Sequence, residues 1–546
     1  MRRVVKRIAF TFVASLILGG VFFDFVSNWT SSLRKVHCVL SGCAVWRGTF
    51  IGEASYLASI VPLEDPLTVI LNDRVHSSSV RKSLRQIVLW HKEWDKTRFI
   101  SEPQKVEGYI LVENSEKVAD DRISLARQGK FWSLYCSPST GSVREGIDRA
   151  GIVELAVIGV MSIMILWLWR RNDSLPVVMA LLLFSVVVFL LLLIGRITAV
   201  GRCGMGIIML GIFALVGGTL RQGNRFKGRR DVIVVSVLFI LLAPFALAQP
   251  LSTPNVASVV AGKAKLFFLQ GGVPQGFWSG GAPYSEMLSS YPLGLAMIVL
   301  GVNIMAGFPT NWLVQMLPCL ILVLLITDIQ FRYKCWTDRG MILIVSLLPV
   351  TRWLSGGLYS EQLVAGCVLC GLKLLGARKT IVGALVMGSS AWFKLEGALV
   401  GGLLLCVRWL TDHCKDKFLV LIQFLVLLVP TVAWWCYLRC NQASVLDVDF
   451  RRVGFFAICR SLWEMVRMFD FALVSLISIP LLRSEHAHRK LLYLFATGVW
   501  FVGYAVVYTA FPESELKWHI GTSLPRQLWL WCLCWLYYDI DPERMA

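Results

Sequence analysis

The chain has 546 residues, a formal net charge of +19, 56% hydrophobic residues and only 16% charged ones. Soluble domains carry about 25% charge, and a bigger core does not explain the deficit, because soluble cores stop growing beyond about 250–300 residues. This composition, with a mean hydropathy of +0.64, excludes a soluble enzyme, a disordered protein and a nucleic-acid-binding domain. The basic residues lie beside apolar spans, which fits the positive-inside rule rather than a phosphate-binding stripe.

The chain begins Met1-Arg-Arg-Val-Val-Lys-Arg and is apolar from Ile8 to Phe25. Such a start reads as a signal peptide or a membrane anchor. The apolar run is longer than a signal core and no small-x-small cleavage site follows, which favours an uncleaved anchor over residues 1–27 with its N-terminus in the cytoplasm. Residues 28–150 break the apolar pattern and hold many of the charges. Val80 to Trp94 reads as an amphipathic helix and Val106 to Val112 as a strand. The segment is expected to be a small α+β domain outside the membrane, periplasmic if the first span runs outward. Cys38, Cys43 and Cys136 would there meet oxidising conditions, and a Cys38–Cys43 disulfide or two free thiols are equally open readings. Twelve of the fifteen cysteines lie beyond residue 200, mostly in apolar stretches, where they act as small hydrophobes.

From Ile152 onward, apolar segments near the length of a bilayer-crossing helix recur. Residues 151–231 read as accessory spans. Trp167-Leu-Trp-Arg-Arg ends one, spans near 175–196 and 204–220 form a hairpin, and Arg221, Arg225, Lys227, Arg229 and Arg230 form the densest basic loop. A second module covers 232–546, with an external loop at 250–289. Basic loops at Arg332–Lys334, Arg378-Lys379, Lys415–Lys417 and Arg483–Lys490 read as cytoplasmic, which places the 355–362, 391–397, 440–469 and 511–526 regions outside. The two ends of the chain then disagree by one crossing, so one of 290–307 and 311–329 re-enters or crosses incompletely. The fold class expected is an all-α polytopic membrane protein of 11 to 13 transmembrane helices, C-terminus inside, with the small α+β insert after the first helix.

Four polar patches stand out, because charge near lipid is costly. The first, 250–294, holds Asn255, Lys263, Lys265, Gly271-Gly272, Tyr284, Glu286 and Tyr291-Pro292; Val256 to Gln270 reads as a short helix lying on the membrane, stopped by the Gly-Gly step. The second is Gly356-Gly-Leu-Tyr-Ser-Glu361, whose carboxylate also suits a helix N-terminus. The third is Trp392-Phe-Lys394-Leu-Glu396-Gly397, which taken alone reads as interfacial snorkelling. The fourth, Glu515 to Arg526, gathers His519, Ser523 and Arg526, and a guanidinium beside a hydroxyl and an imidazole suits an anion. No P-loop, dinucleotide fingerprint or His-x-x-x-His pair occurs. Cys367-x-x-Cys370 lies in an apolar span without a partner pair, and Asp447 and Asp449 read as solvated interface charges.

Taken in order, the patches resemble the bacterial polytopic glycosyltransferases of the GT-C class. The matching runs are Lys263-Ala264, Gly271-Gly272 and Tyr291-Pro292; Gly357-Leu-Tyr359-Ser360-Glu361; Lys394-Leu-Glu396-Gly397; and Trp518-His519-Ile-Gly-Thr522-Ser523-Leu-Pro-Arg526. The resemblance covers about residues 230–540. Each run is weakly specific; their order and shared face are more so. The sequence departs from the pattern at Asn255, where the family has its first-loop Asp, at Ser290 before Tyr-Pro, and at Glu361, a conservative exchange for Asp.

The resemblance implies transfer of a sugar from a polyprenyl-phosphate donor to a lipid or glycan acceptor at the outer face of the bacterial inner membrane. It implies a carboxylate base, with Glu286, Glu361 and Glu396 as candidates. Lys263, Lys394, His519 and Arg526 would hold the donor phosphate. Asn255, Tyr291, Tyr359 and Ser523 would line the substrate, and Tyr359, Trp278 and Trp392 could stack on sugar faces. No cofactor is required by the residues, although the resemblance admits a divalent metal ion; no nucleic acid is expected as a partner. Asn cannot act as a base, so Asn255 keeps open a catalytically inactive glycolipid-binding homologue. A lipid-linked glycan transporter or flippase is the other alternative, and it would line a central path with charge.

Overall fold

The computed structural model describes residues 24–33, 67–70, 97–100, 109–113, 124–128, 132–136, 149–171, 174–219, 229–248, 256–279, 291–308, 313–332, 345–377, 379–411, 417–443, 453–483, 487–509 and 513–538. The expected Val80–Trp94 helix, Cys38, Cys43, Asn255, Tyr284, Glu286, Ser290, Asp447 and Asp449, and most of the expected first anchor, lie outside these residues.

Residues 24–33 are helical, so helix continues past the expected boundary at residue 27. Five short strands follow: β1 (Leu67–Ile70), β2 (Thr97–Ile100), β3 (Tyr109–Glu113), β4 (Ser124–Gln128) and β5 (Trp132–Cys136). They form one sheet in the order β2-β1-β3-β5-β4. β1 runs parallel to both β2 and β3, while β3–β5 and β5–β4 are antiparallel, with a register shift between Leu125 and Arg127. The strand expected at Val106–Val112 is β3, displaced toward the C-terminus.

The rest is helical: α1 (Arg149–Arg171), α2 (Ser174–Leu193), α3 (Ile197–Thr219), α4 (Arg229–Ala248), α5 (Lys263–Gln270), α6 (Gly294–Ala306), α7 (Met316–Arg332), α8 (Pro349–Ser355), α9 (Glu361–Gly376), α10 (Thr380–Gly388), α11 (Glu396–Thr411), α12 (Lys417–Cys440), α13 (Phe455–Arg467), α14 (Phe471–Arg483), α15 (Ala487–Thr509) and α16 (Glu513–Tyr538). Among the described residues, six helices are long and apolar enough to cross a membrane: most of α1, then α2, α3, α4, α12 and α15. This supports a polytopic membrane protein. The expected 11 to 13 crossings also count the first anchor, most of which lies outside the described residues, and apolar helices that are shorter, among them α6, α7 and α10. Ile163, Ile207, Ile240, Phe418 and Leu491 are exposed on these helices, as lipid-facing residues are.

α2 is apolar all round and largely buried, the signature of a helix surrounded by others. At one of its ends, the turn Leu193–Ile197 leads into α3, with Gly195 left-handed. At its other end, Asp328 of α7 accepts hydrogen bonds from the Ser174 backbone N–H and from Trp169 Nε1, the latter at 3.0 Å. These carboxylate bonds satisfy part of a helix N-terminus that would otherwise be unpaired in an apolar layer. Gln315 Nε2, just before α7, donates to the Ala246 carbonyl at the far end of α4 (3.4 Å). α7 therefore runs the full depth of the layer, from the side of the α2–α3 turn to the side of Ser174.

α5 and α6 do not. A π-helical turn, Val256–Gly262, leads into α5, which stops at left-handed Gly271 against Thr198 of α3. α6 stops at left-handed Gly307 against Arg202, also near the start of α3. With 8 and 13 residues they span about 12 and 20 Å, short of the roughly 30 Å hydrocarbon core. Both stop against the start of α3, at the same end of the helical layer. Lys263, Ala264, Lys265, Leu266 and Phe267 are buried, so α5 packs inside the helical layer rather than lying on its surface as expected.

Glycines let α9, α10 and α12 touch backbone to backbone. A Cβ at Gly371 would fall 2.0 Å from Met387 Cγ and 2.6 Å from the Gly383 carbonyl, and one at Gly388 would fall 2.1 Å from the Leu427 carbonyl. Small residues give this approach where no hydrophobic effect drives helix association.

Candidate functional site

Two helix N-termini and one mid-helix position build the site. Glu361 is the first residue of α9, and Glu396 the first residue of α11. The partial positive charge at each N-terminus favours a carboxylate there. Lys394 lies between the 3-10 turn Ser389–Trp392 and α11, with its backbone N–H on the Ser390 carbonyl at 3.0 Å. Gly397 permits that tight turn, since a Cβ there would fall 2.4 Å from Ser390 Oγ. Arg526 sits halfway along the 26-residue α16, directly after Pro525. The proline cannot donate to the carbonyl one turn back, and Arg526 Nε bonds the neighbouring Thr522 carbonyl at 2.6 Å.

These side chains converge on one oxygen. Lys394 Nζ and Arg526 Nη1 each lie 3.0 Å from Glu361 Oε1. Lys394 also reaches Glu396 Oε1 at 3.4 Å. Glu361 Oε2 is buried and has no hydrogen-bond partner among the described residues. The side chains of Glu361, Lys394 and Arg526 are 1%, 4% and 12% exposed, that of Glu396 27%, so the cluster opens on the Glu396 side. Two cations and two carboxylates balance, as a low-dielectric layer requires.

Aromatic and tyrosine groups frame the cluster. The Arg526 guanidinium lies 4.8 Å from the Tyr359 ring centroid and 5.3 Å from that of Trp353. Tyr291 sits in the field of Lys394, Glu396, Glu361 and Arg526, and its backbone carbonyl takes a hydrogen bond from Lys263 Nζ at 3.1 Å. Beside Lys394, Trp392 donates to Ser185 Oγ at 2.9 Å, near the middle of α2. Trp392 also packs edge-on against Phe189 and Trp434, while Trp278 packs against Trp434 and Tyr437.

Of the residues expected from sequence, Lys263, Tyr291, Tyr359, Glu361, Lys394, Glu396 and Arg526 are brought together. His519 and Ser523 lie on α16, about two turns and one turn before Arg526; Asn255 and Glu286 lie outside the described residues. Two expectations are corrected. Lys394 does not snorkel to a surface: its ammonium is buried between two carboxylates. The run Trp518–Arg526, expected outside ahead of the last span, is part of α16, and Arg526 lies within the helical layer. Trp353 was missed, since nothing local separates it from the chain's other tryptophans. Among the described residues no three His, Cys, Asp or Glu side chains gather as a metal site. In comparisons with known proteins, no family model, no curated protein and no solved structure matches this chain.

Proposed function

We propose that the chain is a membrane glycosyltransferase of GT-C type, moving a sugar from a polyprenyl-phosphate donor to a lipid or glycan acceptor. One observation carries this reading. Glu361, Lys394 and Arg526, drawn from three separate sequence runs, meet on a single carboxylate oxygen and leave the other oxygen without a partner. A buried carboxylate oxygen without a partner is expensive, and an acceptor hydroxyl supplies the missing donor.

In the proposed step the acceptor oxygen attacks the sugar's anomeric carbon and gives its proton to Glu361 Oε2. The bond from that carbon to the phosphate oxygen breaks, and the electron pair leaves with the polyprenyl phosphate. Lys394 and Arg526 meet the charge that develops there, Arg526 with a fork suited to phosphate. This assigns the base to Glu361 and makes the asparagine at position 255 no obstacle to turnover. Glu396, paired with Lys394, holds the ammonium in place. In the same reading the site faces the outer side of a bacterial inner membrane, the N-terminus is cytoplasmic, and residues 28–150, including the five-stranded sheet, form a periplasmic α+β insert.

A second reading, a flippase or transporter for a lipid-linked glycan, draws support from the position of Arg526 halfway along α16, because buried charge at depth suits a translocation path. The test is release of polyprenyl phosphate from radiolabelled polyprenyl-phosphate sugars by the full chain in nanodiscs, with a membrane extract as acceptor source, run beside Arg526→Ala and Glu361→Gln. Release by the wild type and its loss in both variants supports transfer. Movement of intact donor between the leaflets of proteoliposomes, with no release, would replace it by the transporter. Tight donor binding with neither activity would leave the inactive glycolipid-binding homologue.

A further inference from the structure

The helix α13, Phe455–Arg467, has an unusual exposed arc. Residues advance about 100° per position on a helix. Over roughly 140° of its circumference it presents in order Phe455, Val466, Cys459, Trp463, Phe456, Arg467 and Arg460, all exposed. Phe455 and Phe456 are 76% and 87% exposed, and Trp463 and Val466 more than half. The opposite face holds Ser461 and Met465, both buried. The apolar part of the arc grades into a basic edge, where Arg467 lies 5.8 Å from the Trp463 ring and 3.6 Å from Glu464. Arg451 and Arg452 lie four and three residues ahead of Phe455 in sequence.

We infer that α13 is an interfacial helix, its aromatic edge seated in the acyl region of the bilayer and its arginines on lipid phosphates. Three observations name lipid as the occupant. The helix packs on α15, whose exposed Leu491, Leu494, Phe495, Val499 and Val502 form part of the apolar belt. Aromatics beside basic residues are the composition of helices that lie at the headgroup boundary. Arginine binds phosphate through its planar fork.

The seat of α13 also relates the charged cluster to the lipid surface. Gly521 of α16 abuts the end of α13, since a Cβ there would lie 3.9 Å from Met468 Cε. Arg526 lies five residues further along α16, about 8 Å. The Glu361–Arg526 pair is then one to two turns of α16 from the end of α13, within reach of a lipid-borne phosphate entering from the side. The lipid seat stands on its own observations; only the use of that nearness rests on the transferase reading, and the two fail separately.

The test places a fluorescent NBD probe at Phe456→Cys and, separately, at Arg460→Cys. The parent is the full chain with Cys203, Cys436, Cys440 and Cys459 changed to Ser, in nanodiscs of phosphatidylethanolamine and phosphatidylglycerol. Signals are read against the parent labelled in the same way. The probe at 456 is expected to be quenched at least about threefold more by a shallow acyl-chain spin label than by aqueous iodide, and the probe at 460 most by a headgroup spin label. Val466→Cys, on the same edge, serves if the first variant is not monodisperse. Equal quenching of the 456 probe by iodide and by lipid labels would overturn the inference, because the arc would then face water and a protein partner. Strongest quenching of both probes by a deep acyl label would also overturn it, placing the helix inside the hydrocarbon.

Discussion

Arg526 and Glu361 meet at 3.0 Å (Nη1 to Oε1), one from the middle of α16 and the other from the first turn of α9. The contact ties the last helix to the centre of the bundle, and the geometry that holds a carboxylate there would equally hold a phosphate. On the proposed transferase reading, Arg526→Ala should therefore abolish donor turnover. Arg526→Lys should keep the charge but lose the fork, and fall about 10–100-fold, the scale of one charge-assisted hydrogen bond of roughly 1.5–3 kcal/mol. Initial rates of polyprenyl phosphate release check the order wild type, Lys, Ala.

Lys394 is the more structural partner, since it joins Glu361 and Glu396. Lys394→Met leaves a buried carboxylate with one cation fewer, and should destabilise by about 3–5 kcal/mol. Adding Glu361→Gln should restore part of that loss, with a coupling of about 0.5–3 kcal/mol. Thermal unfolding of the four proteins in detergent closes this cycle, and strict additivity would mean that the two side chains do not interact.

Gly371 stands where α9 meets α10 without room for a side chain, its would-be Cβ 2.0 Å from Met387 Cγ and 2.6 Å from the Gly383 carbonyl. Gly371→Val should part the helices and lower stability by about 1–3 kcal/mol or more, while Gly402→Val, where nothing lies within 4 Å of the added atom, should be nearly silent. The paired melting temperatures decide it.

Asp24 binds Arg352 through both its carboxylate and its backbone carbonyl, and Arg352 lies over the rings of Phe25 and Phe245. Asp24→Ala should loosen the 24–33 helix from α8. The cost should be about 1–3 kcal/mol, below that of a sealed pair because Asp24 is half exposed. Limited proteolysis of the 24–33 region in nanodiscs should show earlier cleavage in the variant, at unchanged cleavage elsewhere.

Much of the cluster was legible because its residues recur in short ordered runs: Tyr359 with Glu361, Lys394 with Glu396, and Arg526 at the close of a polar stretch. Their depth was not. Hydropathy reads Trp518–Arg526 as too polar to enter the membrane, yet Arg526 is neutralised by Glu361, a partner 165 positions earlier that no local window sees. The sequence narrowed an incomplete crossing to 290–307 or 311–329 but could not choose, because α6 is as apolar as a crossing helix and its stop at Gly307 against Arg202 joins residues about a hundred positions apart. The Asp24–Arg352 pair and the parallel strands β1, β2 and β3 likewise join distant parts of the chain and leave no local periodicity. Gly271 and Gly397 were visible in sequence because they belong to the same short runs as the polar residues.

The most direct test of the central claim is equilibrium binding of radiolabelled polyprenyl phosphate, the proposed leaving product, to the full chain in nanodiscs, compared with Arg526→Ala and with Gly402→Val as a control for general damage. If Lys394 and Arg526 hold the donor phosphate, the Arg526→Ala protein should bind at least about tenfold more weakly, a loss of about 1.4 kcal/mol or more, and the control should bind as the wild type does. Equal affinity in the wild type and Arg526→Ala would contradict the claim and leave the Glu361 cluster as a brace between helices.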